Sequence, residues 1–297
     1  MIDKLEFLLA LNRQKHFGRA AEACGVTQPT LSAGIKHLEE QMGVLLVNRG
    51  SRFQGLTPEG ERVLEWARRI VGDSRNMREE IKSLRHGLTG RLRLAAIPTA
   101  LAMVAALTTP FRERHPNVQF TVFSRTSERV LAMLDNLEID AGISYLDNEP
   151  LGRVNTVPLY RERYRLLTSA DAQLGNRDKV TWAELAGVPL CLLTPDMQNR
   201  RIIDRLLKIS GSDARPMLES DSMILLFSHV RTGRWSSVMP AKLAETLGLT
   251  ETMRAIPIVD PDEVHTIGLV VPEREPMTPL TAALVAEAQR VAKTLEG

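Results

Sequence analysis

Short polar side chains at helical spacing follow a tight turn near the start of the chain. Gly25 can adopt the left-handed backbone that ends one helix. Thr27 is a suitable N-cap for the next helix, and Pro29 falls in its first turn, where a missing N–H is tolerated. The predicted outer face of this second helix carries amide, hydroxyl and small groups with one cation, namely Thr27, Gln28, Pro29, Thr30, Ser32, Ala33 and Lys36. Amides and hydroxyls suit base edges in the DNA major groove, and a lysine suits phosphate, so the pattern predicts DNA recognition.

The buried side of this second helix must pack against the helices that precede it. Leu31, Ile35 and Leu38 recur at helical spacing and predict its buried side. The small residues of the stretch from Ala20 to Ala23 allow a close helix crossing, and a helix over residues 2–14 supplies further apolar residues. An ordinary helical hairpin without a nucleic-acid role is the alternative interpretation.

A cationic hairpin follows, and it reveals a family resemblance. Residues 45–60 predict a hairpin with a tip near residues 50–52, where Arg49 and Arg52 can reach phosphates or a minor groove. The order Ala-Ala-Glu, Thr-Gln-Pro-Thr-Leu-Ser, Ile-Lys-His-Leu-Glu, Asn-Arg and Leu-Thr-Pro-Glu-Gly resembles the winged helix-turn-helix of the LysR-type transcriptional regulators. The sequence departs from that family at Ala33 and Gly34, where the family often has a long basic or amide residue.

A long charged helix is predicted next, from the N-cap Thr57 to the C-cap Gly87. Its apolar positions form a heptad seam interrupted by one serine: Val63, Ala67, Ile70, Ser74, Met77, Ile81 and Leu84. Such a seam favours pairing with a second copy of the chain. The resemblance implies a dimer of dimers, that is, a homotetramer. A solvent-bridging linker helix is the alternative.

The composition sets limits on the function. With 43% hydrophobic and 25% charged residues, the chain is typical of a soluble globular protein, and its 297 residues suit two domains. No apolar run of about 18 residues predicts a membrane span, and the start of the chain is unlike a secretory signal, so we expect a cytoplasmic protein. The net charge is only +2, so a DNA-binding surface must be a local basic patch.

No motif supports catalysis or a cofactor. The sequence lacks a Gly-x-Ser-x-Gly elbow, a P-loop, a Rossmann fingerprint and any metal-ligand spacing, which predicts no catalytic residue, no metal and no cofactor. Cys24 and Cys191 do not form a disulfide framework. A thiol switch remains an alternative, although the peroxide-sensing branch of the family carries a cysteine pair in its effector domain that this sequence lacks.

From residue 89 onward, strands alternate with helices, which predicts a largely parallel sheet covered on both sides. This part resembles the two-lobed effector domain of the same family, which is like the periplasmic binding proteins. The predicted fold is thus a winged helix-turn-helix (α with a small β wing, 1–57), a linker and dimerisation helix (58–88) and a C-terminal two-lobed α/β effector domain (89–297). Lobe I covers about 89–161 and 266–297, and lobe II about 162–265.

Several strand ends carry a hydroxyl residue at a helix start, and these ends predict the effector site. Ligands of open α/β sheets bind at such ends, where helix N-termini favour anions. The candidate residues are Pro98, Thr99, Thr126, Ser127, Ser144, Tyr145, Thr194 and Gln198. The alternative is that the hydroxyls at residues 99, 127 and 194 are plain helix caps.

The sequence therefore predicts a sequence-specific transcriptional regulator. Its expected partners are a double-stranded DNA operator, a small anionic metabolite as effector, further copies of itself and RNA polymerase. The rival is a solute-binding or enzymatic α/β domain with a helical N-terminal extension.

Overall fold

The computed structural model of the chain describes residues 1–49 and 53–295, without the side chains of Arg49 and His86. The chain forms two compact units. The first comprises Met1–Leu88 with the short segments Asp135–Glu138 and Arg274–Pro279. The second contains the remaining residues from Thr89 onward.

The first unit begins with three helices: α1 (Ile2–Gln14), α2 (Phe17–Ala23) and α3 (Gln28–Met42). His16 caps α2 by accepting a hydrogen bond from the Arg19 N–H, and Thr27 caps α3 by accepting one from the Thr30 N–H. Gly25 has a φ of 67°, the left-handed conformation expected for the turn between α2 and α3. These caps fix where the recognition helix starts.

Two short strands and a long helix complete this unit. Strands β1 (Val47–Arg49) and β2 (Phe53–Leu56) pair antiparallel, and α4 spans Pro58–His86 with Thr57 as its N-cap. The predicted hairpin tip at residues 50–52, including Arg52, lies outside the described residues.

The core of the first unit explains the unusual glycine in α3. Leu31, Ile35 and Leu38 are fully buried, as the periodicity predicts. A Cβ at Gly34 would lie 2.6 Å from the Phe7 ring, closer than carbon atoms pack. Gly34 thus makes room for Phe7, and the helix-propensity cost of a mid-helix glycine, about 1 kcal/mol, is offset by that packing.

The predicted heptad seam of α4 is divided between two faces. Ala67 and Ser74 are buried, and Ala67 lies in the core together with Leu64 and Val71, which the seam prediction missed. The solvent-facing apolar residues are instead Trp66, Ile70, Met77, Ile81 and Leu84. The first half of α4 packs against the three-helix core, so the seam cannot be a single outward stripe over its entire length.

The second unit has two lobes, each built around one large sheet. The sheet of lobe I has the order β4-β3-β5-β13-β6. Its strands are β3 (Gly90–Ala96), β4 (Val118–Ser124), β5 (Ala141–Tyr145), β6 (Val154–Glu162) and β13 (His265–Pro272). A 3₁₀ helix (Pro98–Met103), α5 (Val104–Arg114), α6 (Ser127–Asp135) and α10 (Pro279–Leu295) belong to the same lobe.

Lobe II contains the four-stranded sheet β11-β7-β12-β8 and the parallel pair β9 and β10. Its strands are β7 (Tyr164–Ser169), β8 (Val180–Thr181), β9 (Cys191–Leu193), β10 (Leu218–Ser220), β11 (Ser237–Pro240) and β12 (Met253–Val259). Its helices are a 3₁₀ helix (Ala183–Gly187), α7 (Gln198–Ile209), α8 (Met223–Val230) and α9 (Ala241–Leu247).

The sheets are mixed, so the expectation of a largely parallel sheet was wrong. Strand β13 pairs antiparallel with both β5 and β6, and β7 pairs antiparallel with β11 and β12. The sequence pattern did not predict β6, β7, β8, β12 or α9. The chain passes to lobe II between β6 and β7 and returns between β12 and β13. Pro110 lies inside α5, which follows the 3₁₀ helix directly at Val104.

Candidate functional site

The outer face of α3 is open to solvent. Thr27, Gln28, Pro29, Thr30, Ala33 and Lys36 are exposed, and Ser32 is half-buried. The Thr27 and Thr30 hydroxyls lie 2.8 Å apart, so each can orient the other. Lys36 is 3.9 Å from Glu40, and both side chains are largely exposed, so the lysine remains free to exchange this contact for a phosphate.

Buried contacts fix the β1–β2 wing against α3 and α4. A Glu39 carboxylate oxygen accepts hydrogen bonds from the N–H groups of Leu46 and Val47, at 3.0 and 3.2 Å. The Thr57 hydroxyl donates to the Leu45 carbonyl at 2.7 Å and accepts from the Gly60 N–H at 2.9 Å. A Cβ at Gly60 would lie 2.0 Å from the Leu46 carbonyl oxygen, so only glycine fits there. Arg49 ends β1 beside this anchor.

In the second unit, residues from both lobes enclose a small cavity. Five of the predicted effector residues line it, together with four residues the sequence did not suggest: Pro98, Thr99, Ser127, Tyr145 and Gln198, with Ile97, Leu193, Met197 and Asn199. The enclosed space is about 10 Å³, roughly one water molecule. A larger ligand therefore requires the lobes to part.

The remaining predicted effector residues are absent from the cavity lining. The Thr126 hydroxyl accepts from the Arg129 N–H and so acts as a cap of α6. Ser144 and Thr194 lie close in sequence to residues of the lining, and their buried hydroxyls have no hydrogen-bond partner among the described residues.

The hydroxyls that line the cavity are not ordinary helix caps. The Thr99 hydroxyl is buried and finds no partner within the described chain. Ser127 donates to Glu149 at 3.4 Å, and Glu149 is held by Arg201. Helix α7 begins at Gln198 without a side-chain cap, so its first N–H groups are available where the helix dipole favours negative charge.

Below the cavity lies a buried acid that the sequence did not reveal. The Tyr145 hydroxyl donates to Glu162 at 2.5 Å and accepts from the Asn199 amide at 3.2 Å. Burial raises the pKa of Glu162 to about 8. Glu162 stands in the charged run Arg161 to Arg163, which is typical of a solvated strand end, so no sequence signal distinguished it.

The two cysteines are unsuited to thiolate chemistry. Cys191 is fully buried, and burial raises the pKa of its thiol to about 11. Burial also raises the pKa of Cys24, despite the opposing effect of Arg13. Since the thiolate is the reactive form, neither residue has the environment of a nucleophile.

Metal sites and membrane-spanning helices are both absent from the described part of the chain. Residues 1–49 and 53–295 contain no cluster of His, Cys, Asp and Glu that could hold a metal ion. Among the same residues, no helix combines the length and apolar character needed to span a membrane.

Known sequences match both units. Residues 2–61 match the bacterial regulatory helix-turn-helix protein domain of the lysR family, and residues 85–293 match the LysR substrate binding domain. The DNA-binding transcriptional dual regulator OxyR of Escherichia coli is 28% identical over 297 residues, covering 100% of this chain and 96% of that protein. A probable nitrogen assimilation transcriptional activator of Synechococcus elongatus is 27% identical over 282 residues, covering 92% and 89%.

Solved structures share the fold. A variant of full-length OxyR from Pseudomonas aeruginosa aligns with a TM-score of 0.76 and 24% identity, covering 98% of this chain and 99% of that one. Full-length CbnR in complex with its target DNA aligns with a TM-score of 0.61 and 22% identity, with the same coverage.

The class of protein follows from these matches and the two units. The chain belongs to the LysR family and is a LysR-type DNA-binding transcriptional regulator with an effector-binding domain. The matches support this class over the rival interpretation, a solute-binding or enzymatic domain with a helical extension.

Proposed function

We propose that the exposed face of α3 reads an operator in the major groove while the wing contacts the backbone. The observation that supports this most directly is the cap-defined start of α3, which leaves Thr27, Gln28 and Thr30 exposed. Ser32, Ala33 and Lys36 continue the same surface, and Pro29 keeps the first turn rigid. Arg49 and Arg52 are proposed as backbone or minor-groove contacts of the wing.

Two substitutions separate base reading from phosphate contact. Gln28→Ala removes an amide suited to a base edge, so it should change the preferred sequence and cost about 1–3 kcal/mol at one position. Lys36→Ala should weaken binding to all sequences and lower the salt slope by about one. Binding to a randomised duplex pool over a salt series measures both. The same response from the two variants would contradict these roles.

We propose that the cavity between the lobes is the effector site and that the effector is a small anion. The unpartnered Thr99 hydroxyl, the Ser127 hydroxyl and the uncapped start of α7 support this proposal. The predicted residues outside the lining, Thr126, Ser144 and Thr194, are proposed to act only once the lobes have parted.

Removing the two cavity hydroxyls should abolish the response and spare operator binding. Thr99→Val with Ser127→Ala keeps the side-chain volumes nearly constant while deleting both hydroxyls. Operator-dependent transcription is compared over a panel of small carboxylates for the wild type, this double variant and the control Thr246→Val, which alters an exposed position of α9. An unchanged response of the double variant would place the effector site elsewhere.

We propose that the outer stripe of α4 pairs two chains, and that two such dimers form a tetramer. Ile70, Met77 and Leu84 are spaced by seven residues, with Ile81 between the last two, and all four are exposed. Ile81→Glu should place a charge in this seam and weaken the dimer at least tenfold, whereas the control Lys82→Glu should not. Sedimentation velocity measures the change. Equal masses for the two variants would exclude α4 as the dimer contact.

We further propose that the protein has no catalytic activity, that it acts in the cytoplasm, and that it controls transcription through RNA polymerase. Several relatives are named for hydrogen peroxide. The raised pKa of both thiols argues that this chain does not sense peroxide through a thiolate.

A further inference from the structure

The buried carboxyl of Glu162 lies where the chain passes between the lobes. Glu162 is the last residue of β6, and β7 begins at Tyr164 in the other lobe. The return passage ends at His265, the first residue of β13, which lies opposite Glu162 in the strand register. Glu162 is 1% exposed. One acid is thus buried beside both strand crossings.

The surroundings of Glu162 do not neutralise a negative charge. One carboxylate oxygen accepts from Tyr145, and the other has no partner among the residues that the structure describes. The titratable and charged groups that face Glu162 are phenols, a histidine and another acid: Tyr145, Tyr160, Tyr164, His265 and Asp147. Desolvation lowers the pKa of His265, which favours its neutral imidazole despite the nearby carboxylates of Asp147 and Glu263. Arg163 and Arg205 are paired with Asp262 and Glu263.

The same cluster forms the floor of the proposed effector cavity. Tyr145 and Asn199 both line the cavity, and both belong to the hydrogen-bond chain that ends on Glu162. Above this floor, the Thr99 hydroxyl is buried without a partner in the described chain. A ligand there would lie against the Tyr145 side chain, whose hydroxyl donates to Glu162.

We propose that a small carboxylate binds in this cavity together with one proton, taken from solvent and held on Glu162. This inference rests on the proposed effector site. An ionised Glu162 would place a second negative charge close to the ligand in surroundings with little water, whereas the protonated acid would not. Effector occupancy would then be linked to pH through the residue at the lobe crossing.

Acetate and its uncharged analogue acetamide are suitable probes for this linkage. Affinity is measured on the full chain at pH 6.5 and pH 9.0 from the line width of the probe methyl proton signal, at constant ionic strength. Burial raises the pKa of Glu162 to about 8 in the folded chain without ligand. Acetate should therefore bind about tenfold more weakly at pH 9.0, where Glu162 is mostly ionised, than at pH 6.5. Acetamide should bind equally at both.

Three variants distinguish failure of the proton linkage from failure of the effector-site assignment. Glu162→Gln should abolish the pH dependence of acetate affinity, and the control Glu149→Gln, which alters another acid near the cavity, should retain it. Retention in Glu162→Gln would overturn the proposal. Thr99→Val should weaken both probes at both pH values. If Thr99→Val has no effect, or if acetate does not bind, the assignment of the effector site is wrong. If acetate binds to the wild type without any pH dependence, the effector site stands and the role of Glu162 is rejected.

A measurement on the wild type needs no substitution at all. Calorimetry of acetate binding in two buffers with different ionisation enthalpies gives the number of protons taken up. We expect uptake of about half a proton at pH 8 and almost none at pH 6.5. Absence of uptake at pH 8 would also overturn the proposal.

Discussion

Gly60→Ala should destabilise the DNA-binding unit by about 3 kcal/mol or more and abolish tight operator binding. Helix propensity alone predicts the opposite sign, because alanine favours a helix interior by about 1 kcal/mol over glycine. The structure decides between these effects. The new Cβ would lie 2.0 Å from the Leu46 carbonyl oxygen and 3.2 Å from its Cα. These are backbone atoms, so no side-chain rotation can relieve the clash.

The wing or the start of α4 would have to move, and the contacts that join them would be lost. Those contacts are the Thr57 hydrogen bonds to Leu45 and Gly60 and the main-chain bond from Thr57 N–H to the Leu46 carbonyl. Hydrogen exchange over residues 44–60, with calorimetry of the full chain, measures the loss. Arg62→Ala, an exposed substitution in the next turn, should change stability by no more than about 0.5 kcal/mol. Protection equal to wild type in Gly60→Ala would contradict the packing argument.

The helix bounds of the DNA-binding unit could be predicted closely because the sequence signals that set them are local. Gly25, Thr27, Pro58 and Gly87 act on backbone groups within one helical turn, so their types alone define where helices start and end. The spacing of Leu31, Ile35 and Leu38 likewise requires only helix geometry. Gly34 shows the limit, since its role depends on Phe7, a residue 27 positions earlier in the chain.

The strands of the effector-binding domain were predicted less completely because the contacts that define them are non-local. Strand β6 escaped detection since its burial does not alternate regularly, and its partner β13 lies about 100 residues away. Glu162, Tyr164 and Asn199 all contact the Tyr145 hydroxyl, and Asn199 lies in the other lobe, 54 positions along the chain from Tyr145. Hydroxyls at helix starts, by contrast, are visible in sequence, which is why Thr99 and Ser127 could be named as cavity residues in advance.

Glu162→Gln should make the stability of the protein less dependent on pH between 5 and 8. Burial raises the pKa of Glu162 from 4.5 to about 8, with the hydrogen bond from Tyr145 acting in the opposite direction. Between these two values the folded chain keeps a proton that the unfolded chain has lost. Stability therefore falls as the pH rises from 4.5 to 8 and levels off above 8. At pH 7 the raised pKa of Glu162 lowers the free energy of unfolding by about 3 kcal/mol, relative to a pH well below 4.5.

Glutamine preserves the size of the side chain and an oxygen that can accept from Tyr145, and it carries no charge at any pH. The free energy of unfolding of Glu162→Gln, relative to wild type, should therefore rise by about 2 to 3 kcal/mol between pH 5 and pH 7. The absolute offset is smaller, because the new amide N–H group also needs a partner. Urea unfolding at fixed pH intervals measures the difference, in which the titration of all other groups cancels.

Glu287 provides a control of opposite sign. It is equally buried but paired with Arg114 and Arg290, and these arginines hold the pKa of its carboxyl below the ordinary value despite desolvation. The stabilisation that ionised Glu287 gives the folded chain is fully present above the pKa of this group in the unfolded chain. It is lost as the pH falls through the lower pKa of the folded chain. Glu287→Gln should thus destabilise the protein at pH 7, and less so at pH 4. If Glu162→Gln followed the pH profile of Glu287→Gln, Glu162 would be ionised in the folded protein, and both its stability effect and its proposed proton linkage would fail together.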